Sequence, residues 1–223
     1  MSWDPVWEQI HCSLHWGRYP PEELIRFVAR NYFSAPDRWQ VRILELGCGA
    51  GANLWFLARE QFEAYGIDGS KTAIANAEGY LKADCLQANL QVGDIIALDQ
   101  FYPPAHFDAV IDVASLQHNK IPAVQTALGH ALTCLKAGGR IFSMMVATGS
   151  YGDKCGREIE PGTFMDVIEG PNRARGLCHF FTEEEIFRLF NRFSEVQVEY
   201  SARSLDSRQH WYNHWVIEGV KRP

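Results

Sequence analysis

The chain has 223 residues, 47% of them apolar, and a formal net charge of −6. That length fills one hydrophobic core and leaves two independent domains cramped, while the acidic balance works against nucleic-acid binding, which draws its affinity from neutralising phosphates. No apolar run approaches the ~20 residues that cross a bilayer, and the opening MSWDPVWEQI carries acids where a secretion signal carries lysines; the expectation is a soluble, cytoplasmic, single-domain protein over residues 1–223.

Residues 3 to 15 place Trp3, Trp7, Ile10 and Leu14 on one stripe of a short helix. Pro20 and Pro21 separate it from a second helix with Leu24, Phe27, Val28 and Asn31 on one side, and residues 1–35 together read as an N-terminal helical lid. VRILELG, residues 41 to 47, is the first strand, followed by a glycine turn and a helix from Ala52 to Glu60. FEAYGID is the second strand, and Ser70 is placed to cap a helix carrying Ala73, Ile74, Ala77 and Leu81. LQVGD makes a short third strand and FDAVIDVA, from Phe107, a fourth. A helix with Ile121, Val124, Leu128, Ala131 and Leu135 on one face then stops at Gly138-Gly139, ahead of a buried fifth strand, RIFSMMVAT. This strand-helix alternation predicts a mainly parallel sheet, with residues 41–147 as its core.

From 149 to 181 the periodicity fails, and this stretch, within a cap or insertion assigned to 148–181, is either a long loop or a small irregular insertion. Thr182 and Glu185 form a capping box for a helix with Ile186, Leu189 and Phe190. Two strands, about 195 to 201 and 212 to 220, close the chain as a hairpin that adds an antiparallel edge.

Residues 43–53 read ILELGCGAGAN, with Gly47, Gly49 and Gly51 between a strand and a helix. Such glycines let the backbone turn tightly against a ligand at a helix N-terminus with unpaired N–H donors. The string also satisfies the dinucleotide fingerprint G-x-G-x-x-A, with Ala52 last. Asp68, about 20 residues on at the end of the second strand, is suited to accept both hydroxyls of a ribose. Together they point to an adenosine ligand without naming it, since a dehydrogenase needs the same acid.

The remaining stations resemble the class I S-adenosylmethionine (SAM)-dependent methyltransferase family. Its first motif, E-x-G-x-G-x-G, resembles Glu45, Gly47, Cys48, Gly49 and Gly51, with Asn53 following, and its acidic second-strand end resembles Asp68, beside Gly69 and Ser70. Its third station resembles Gly93-Asp94-Ile95, where the resemblance implies contacts to adenine, and its fourth resembles FDAVIDVASLQHN, whose Asp112 and Val113 are implied to face the methionine portion. LKAGGRIF resembles the fifth, with Ala137 in place of the family's usual proline. The resemblance implies a Rossmann-like α/β fold: a seven-stranded, mostly parallel sheet of order 3-2-1-4-5-7-6 with an antiparallel last strand and helices on both faces. It also implies SAM as cofactor and S-adenosylhomocysteine (SAH) as product. No tyrosine has a lysine four residues on, which argues against the short-chain dehydrogenase alternative and its NAD.

A sulfonium is already an activated methyl donor, so the protein's tasks are alignment and exclusion of water. His118, after the fourth strand, is a candidate base, and His179 is a second if the insertion folds over the same cleft. Trp3, Trp7, Trp16 and Tyr19 are read as a lid, with Trp16 and Tyr19 reaching the methionine end. His11 with His15, and His210 with His214, have metal-ligand spacing but no accompanying Glu or Cys set, so no metal is expected; six cysteines without a C-x-x-C pair read as free thiols. Arg157, Arg173 and Arg175 are candidates for holding a carboxylate or phosphate, in a stretch whose many acids suit a solvated loop equally well. The expected acceptor is a small molecule, such as a sugar or other metabolite. The alternative is a SAM-binding protein that has lost catalysis.

Overall fold

The computed structural model describes residues 3–14 and 17–222. α1 (Val6–Ser13) begins after Pro5, so Trp3, expected on its stripe, precedes the helix. α2 (Glu22–Tyr32) follows Pro21, whose fixed φ suits a helix entry, and buries Leu24, Phe27 and Val28. The sheet then builds as β1 (Arg42–Leu46), α3 (Ala52–Arg59), β2 (Glu63–Asp68), α4 (Lys71–Ala83), β3 (Asn89–Val92), β4 (Phe107–Val113), α5 (Ile121–Cys134) and β5 (Leu135–Val146). Ser70 caps α4 by accepting the Ala73 N–H at 3.0 Å, as its position predicts.

The large sheet has its strands in the predicted order, β3-β2-β1-β4-β5 followed by β10 (His210–Val220) and β9 (Ser194–Leu205). β1 to β5 run parallel, and β10 lies antiparallel to both β5 and β9. Each face carries helices. On one, Leu24, Phe27 and Val28 of α2 and Leu54 and Leu57 of α3 meet Ile43, Ile111 and Phe142, with the rings of Phe27 and Phe142 5.0 Å apart. On the other, Val124, Leu128 and Ala131 of α5 and Ile186 and Leu189 of α6 (Glu183–Leu189) pack on Leu44, Val110 and Met145. Thr182 and Glu185 form the expected capping box of α6.

Three boundaries differ from the sequence reading. α5 stops at Cys134, and Gly138-Gly139 belong to a bulge in β5, where Phe107 faces Leu135 but the next pair is Ala109 with Arg140. A Cβ on Gly139 would stand 2.9 Å from the Lys136 carbonyl, so the chain makes its detour where it has no side chain. The insertion is an ordered antiparallel sheet of β6 (Arg157–Glu160), β7 (Thr163–Met165) and β8 (Cys178–His179), with Phe164, Val167, Cys178 and Phe180 packed on Val146 and Tyr212. Strands of two to four residues are too short to show a period of two. Finally, β9 and β10 are 12 and 11 residues long, and they turn through Asp206, Ser207 and Arg208, all at positive φ without a glycine to mark the turn.

The N-terminal stretch divides in two. α2 is a layer of the core, whereas α1 lies on α4: the Glu8 carboxylate accepts from the Thr72 hydroxyl at 2.5 Å, and Asn76 Nδ2 donates to the His11 carbonyl at 3.1 Å. α1 is thereby fixed beside the turn that follows β1.

Candidate functional site

A cavity of about 330 Å³ opens at the carboxyl ends of β1, β2, β3 and β4, where the parallel strands leave their crevice. Gly47 leaves β1 at φ +61°, and a Cβ there would lie 2.0 Å from Ser115 Oγ, so the turns after β1 and β4 approach as closely as they do only with glycine. Gly51 (φ +84°) enters α3 against Ala77, whose Cβ would be 2.9 Å from a side chain at 51. With no side-chain cap at Gly51, the α3 N-terminus opens on the cavity through Ala52 and Asn53.

Three carboxylates line this end, one from each of β1 and β2 and one from the turn after β3. Glu45, 2% exposed, accepts from Asn53 Nδ2 at 2.5 Å through Oε1, while Oε2 has no hydrogen-bond partner. Burial pushes the Glu45 carboxyl well above the usual carboxylate range. A buried acceptor without a donor is costly in a finished protein, so Oε2 marks a position for a ligand's donor. Asp68 accepts from the Gly49 N–H at 2.9 Å through Oδ2 and from the Ser70 N–H at 2.8 Å through Oδ1. Those bonds hold the carboxylate in one orientation and leave a lone pair on each oxygen for a diol. Burial raises its pKa, opposed by the two backbone bonds and by the nearby His11. Asp94 accepts the Ile96 N–H at 3.2 Å, and Gly93 and Ile95 beside it also line the cavity.

The lining is completed by Val113, Ala114, Ser115, His118 and Asn119 at and after the end of β4, by Trp3, Asp4, Trp7 and His11 from the N-terminus, with Trp3 against Gly69 and His11 beside Asp68, and by Arg175 from the cap. Asp112 does not face the cavity. Its Oδ1 accepts the N–H groups of Ser115 (3.0 Å) and Leu116 (2.9 Å), its Oδ2 accepts the Ser143 hydroxyl (2.5 Å), and complete burial pushes its pKa up to about 6. It shapes the turn that presents Val113 and Ser115. His118 is 8% exposed, with its ring edge-on to Trp7 at 4.6 Å. Because a carbonyl can only accept, the 2.7 Å contact to Leu177 O makes Nδ1 the donor and Nε2 the basic nitrogen, which accepts from Gln117 Nε2 at 3.4 Å. Burial holds its pKa at about 4, so the ring is neutral at neutral pH.

The cavity thus gathers Tyr19, Glu45, Gly47, Cys48, Gly49, Asn53, Asp68, Gly69, Gly93, Asp94, Ile95, Val113 and His118 from the sequence-derived set. Gly51, Ser70 and Asp112 stand behind its wall as structural supports. His179 lies elsewhere, inside the cap, where Nδ1 meets Thr163 Oγ1 at 2.6 Å and Nε2 meets Glu185 at 3.3 Å. Trp16 and His15 fall outside the described residues. Among the described residues no three His, Cys, Asp or Glu side chains gather as a metal site requires. The lining residues that sequence reasoning did not assign to the cofactor include Trp3, His11, Ser115 and Arg175; the aromatic stripe of the first helix points to Trp3, the fourth station contains Ser115, and Arg175 is one of the three arginines of the insertion.

The donor set fits an adenosylated amino acid: a diol acceptor at Asp68, an acceptor for an amino group at Asp94, and an unsatisfied carboxylate oxygen at Glu45 suited to an ammonium. Residues 43–139 match the family model described as a methyltransferase domain. Ajmaline N-methyltransferase of Rauvolfia serpentina is 26% identical over 132 residues, 51% of this chain and 45% of that protein, so the match spans less than half of the relative's length. A SAM-dependent methyltransferase from Methanosarcina mazei superposes at a TM-score of 0.64 with 23% identity, covering 81% of this chain and 92% of that one. Magnesium protoporphyrin IX methyltransferase from Synechocystis PCC 6803 with bound SAH does so at 0.64 and 18%, covering 98% and 84%. These solved structures share the fold. Residues 43–139 thus match a methyltransferase domain, set in the fold that these SAM-dependent methyltransferases share.

Proposed function

We propose that this protein is a cytoplasmic enzyme that methylates a small-molecule acceptor, a sugar or other metabolite, held between the turn after β4, α1 and the cap. One observation carries the reading: a single cavity is lined both by the Glu45, Asp68 and Asp94 carboxylates and by a neutral histidine, His118. The relative that acts on ajmaline supports a small acceptor, as does the acidic net charge of −6, which disfavours a polyanion. No helix among the described residues is long and apolar enough to cross a membrane.

SAM supplies a methyl group on a positively charged sulfur, and the acceptor's lone pair takes that methyl while the carbon–sulfur electron pair stays on sulfur. Asp68 would hold the ribose hydroxyls of bound SAM and Asp94 its adenine amino group. Ring contact between Trp7 and His118 closes one side of the cleft against water. His118 Nε2 receives the acceptor's proton: Nδ1–H is tied to Leu177, and Nε2, which accepts from Gln117 Nε2 at 3.4 Å, exchanges that contact for the acceptor's proton. A base with a pKa of about 4 stays unprotonated at neutral pH but has little intrinsic pull. It therefore suits an acceptor whose proton becomes acidic as the methyl arrives.

Calorimetry with SAH followed by SAM turnover against a panel of hydroxy, amino and carboxylic metabolites tests the proposal. SAH binding with a product from at least one small acceptor is the expected result. SAH binding without product from any would instead identify a non-catalytic SAM-binding protein.

A further inference from the structure

The cap holds three arginines that the sequence does not rank, and the structure separates them. Arg157 is exposed on β6, and Arg173 is exposed beside an outer cleft that it shares with Glu169 and Asp206. Arg175 alone of the three lines the main cavity, where it is partly buried.

We propose that Arg175 makes this an acceptor site for small anions, its guanidinium gripping a carboxylate or phosphate while the acceptor's nucleophilic atom lies against His118. The inference rests on the methyl-transfer reading of the cavity and adds the chemical class of its substrate.

The segment carrying Arg175 is built rigidly and is tied to the proposed base. Asn172 is fully buried, and its Oδ1 accepts from Gln117 Nε2 at 3.3 Å and from the Tyr212 hydroxyl at 3.5 Å. The Ala174 N–H donates to Val167 O at 3.1 Å, and the Leu177 carbonyl accepts the His118 Nδ1–H at 2.7 Å. Arg175 therefore sits between two anchors, and one of them is the neighbour of His118, Gln117, whose Oε1 also accepts the Val146 N–H at 2.9 Å. Asp4 marks the N-terminal side: its Oδ1 accepts the Val6 N–H at 3.0 Å, and its Oδ2 would lie 2.3 Å from a Cβ on Gly176, so the cap approaches the N-terminus only through a glycine. A partly buried guanidinium on a backbone anchored at both sides offers the paired donors that match the two oxygens of a carboxylate or phosphate. Its charge also lowers the proton affinity of His118. An anion bound there would offset that charge and strengthen the base only when substrate is in place.

The test titrates SAH-saturated protein with benzoate, phenyl phosphate and uncharged benzamide by calorimetry, using the parent, Arg175→Gln and Arg175→Lys. The expected result is that one anion binds and benzamide does not, with carboxylate and phosphate distinguished by which of the two it is. Arg175→Gln should weaken that anion by about tenfold or more, Arg175→Lys should retain part of the affinity, and SAH binding should be unchanged in both. The proposal is overturned if neither anion binds better than benzamide, or if the anion binds Arg175→Gln as tightly as the parent. Loss of SAH affinity in Arg175→Gln also overturns it, because the guanidinium would then hold the cofactor's own carboxylate. Failure of the parent to bind SAH would sink the cofactor reading instead.

Discussion

The two ends of the cavity are built differently. The cofactor end comes from the ends of three adjacent parallel strands, β1, β2 and β3, and the turns that leave them, so Glu45, Gly47, Asp68 and Asp94 lie within 50 residues of sequence. The proposed acceptor end joins Trp7, the β4 turn with Ser115 and His118, and Arg175, segments that meet only because α1 rests on α4 and the cap folds back onto the turn after β4, while Trp3 and His11 of the same N-terminal segment reach Gly69 and Asp68. The first is a product of local backbone geometry, and the second of long-range packing. A fold that keeps its cofactor end constant is free to change acceptors by altering the segments at the other.

If the ends are separable, a change at one should leave the other's ligand alone. The largest effect is expected at His118: His118→Gln should lower kcat by about 10²- to 10⁴-fold, the range of a general base, with SAH affinity intact. Loss of SAH binding in calorimetry would instead make His118 part of the cofactor end. Gly47 joins the two ends, since its missing Cβ would collide with Ser115. Gly47→Ala should cost about 1–2 kcal/mol of left-handed strain and about 1–3 kcal/mol of overpacking, seen as a lowered Tm together with weaker SAH binding. A variant that melted and bound like the parent would show that the turns have room to part.

A smaller effect separates the buried groups of the β4 turn by pH. His118 titrates at about 4 in the folded chain and near 6.5 unfolded. The unfolded chain thus takes the proton first, and the stability present above pH ~6.5 is lost as pH falls toward 4, by about 3 kcal/mol. Asp112, raised to about 6, acts with the opposite sign: the folded chain takes its proton first, so its contribution is lost as pH rises from ~4 toward 6. Denaturant melts of His118→Gln should therefore lose less stability than the parent between pH 6.5 and 4, whereas parallel curves would contradict the burial of the imidazole. The smallest effect is at the cofactor end. Asp68→Asn should weaken SAM by about 1.5–3 kcal/mol, the worth of charged hydrogen bonds, with kcat at saturating SAM preserved; an unchanged Kd would remove Asp68 from the ribose.

The elements that sequence reading located best are those whose signal is local. Ser70 and Thr182 cap their helices through atoms three residues away, and both were visible. The β6 to β8 sheet was not, because its strands span two to four residues and its apolar contacts run to Val146 and Tyr212. Asp112 was read as facing the cofactor because its strand position resembles a site, but alternation along β4 sends its carboxylate to Ser143 and leaves Val113 on the cavity. The sequence offers His118 first and His179 only if the insertion folds over the cleft; the fold gives His118 to the cavity and His179 to Thr163 and Glu185.

By itself, then, the order of residues determined the parallel sheet, its glycine turn and the acids at the strand ends, because hydrophobic period, caps and turn chemistry act over a few residues. Only the tertiary structure decided which histidine and which arginine share a cavity with them. His118 and Arg175 are brought together from positions 57 residues apart, and nothing in the spacing of a chain encodes such a distance until the core between them has packed.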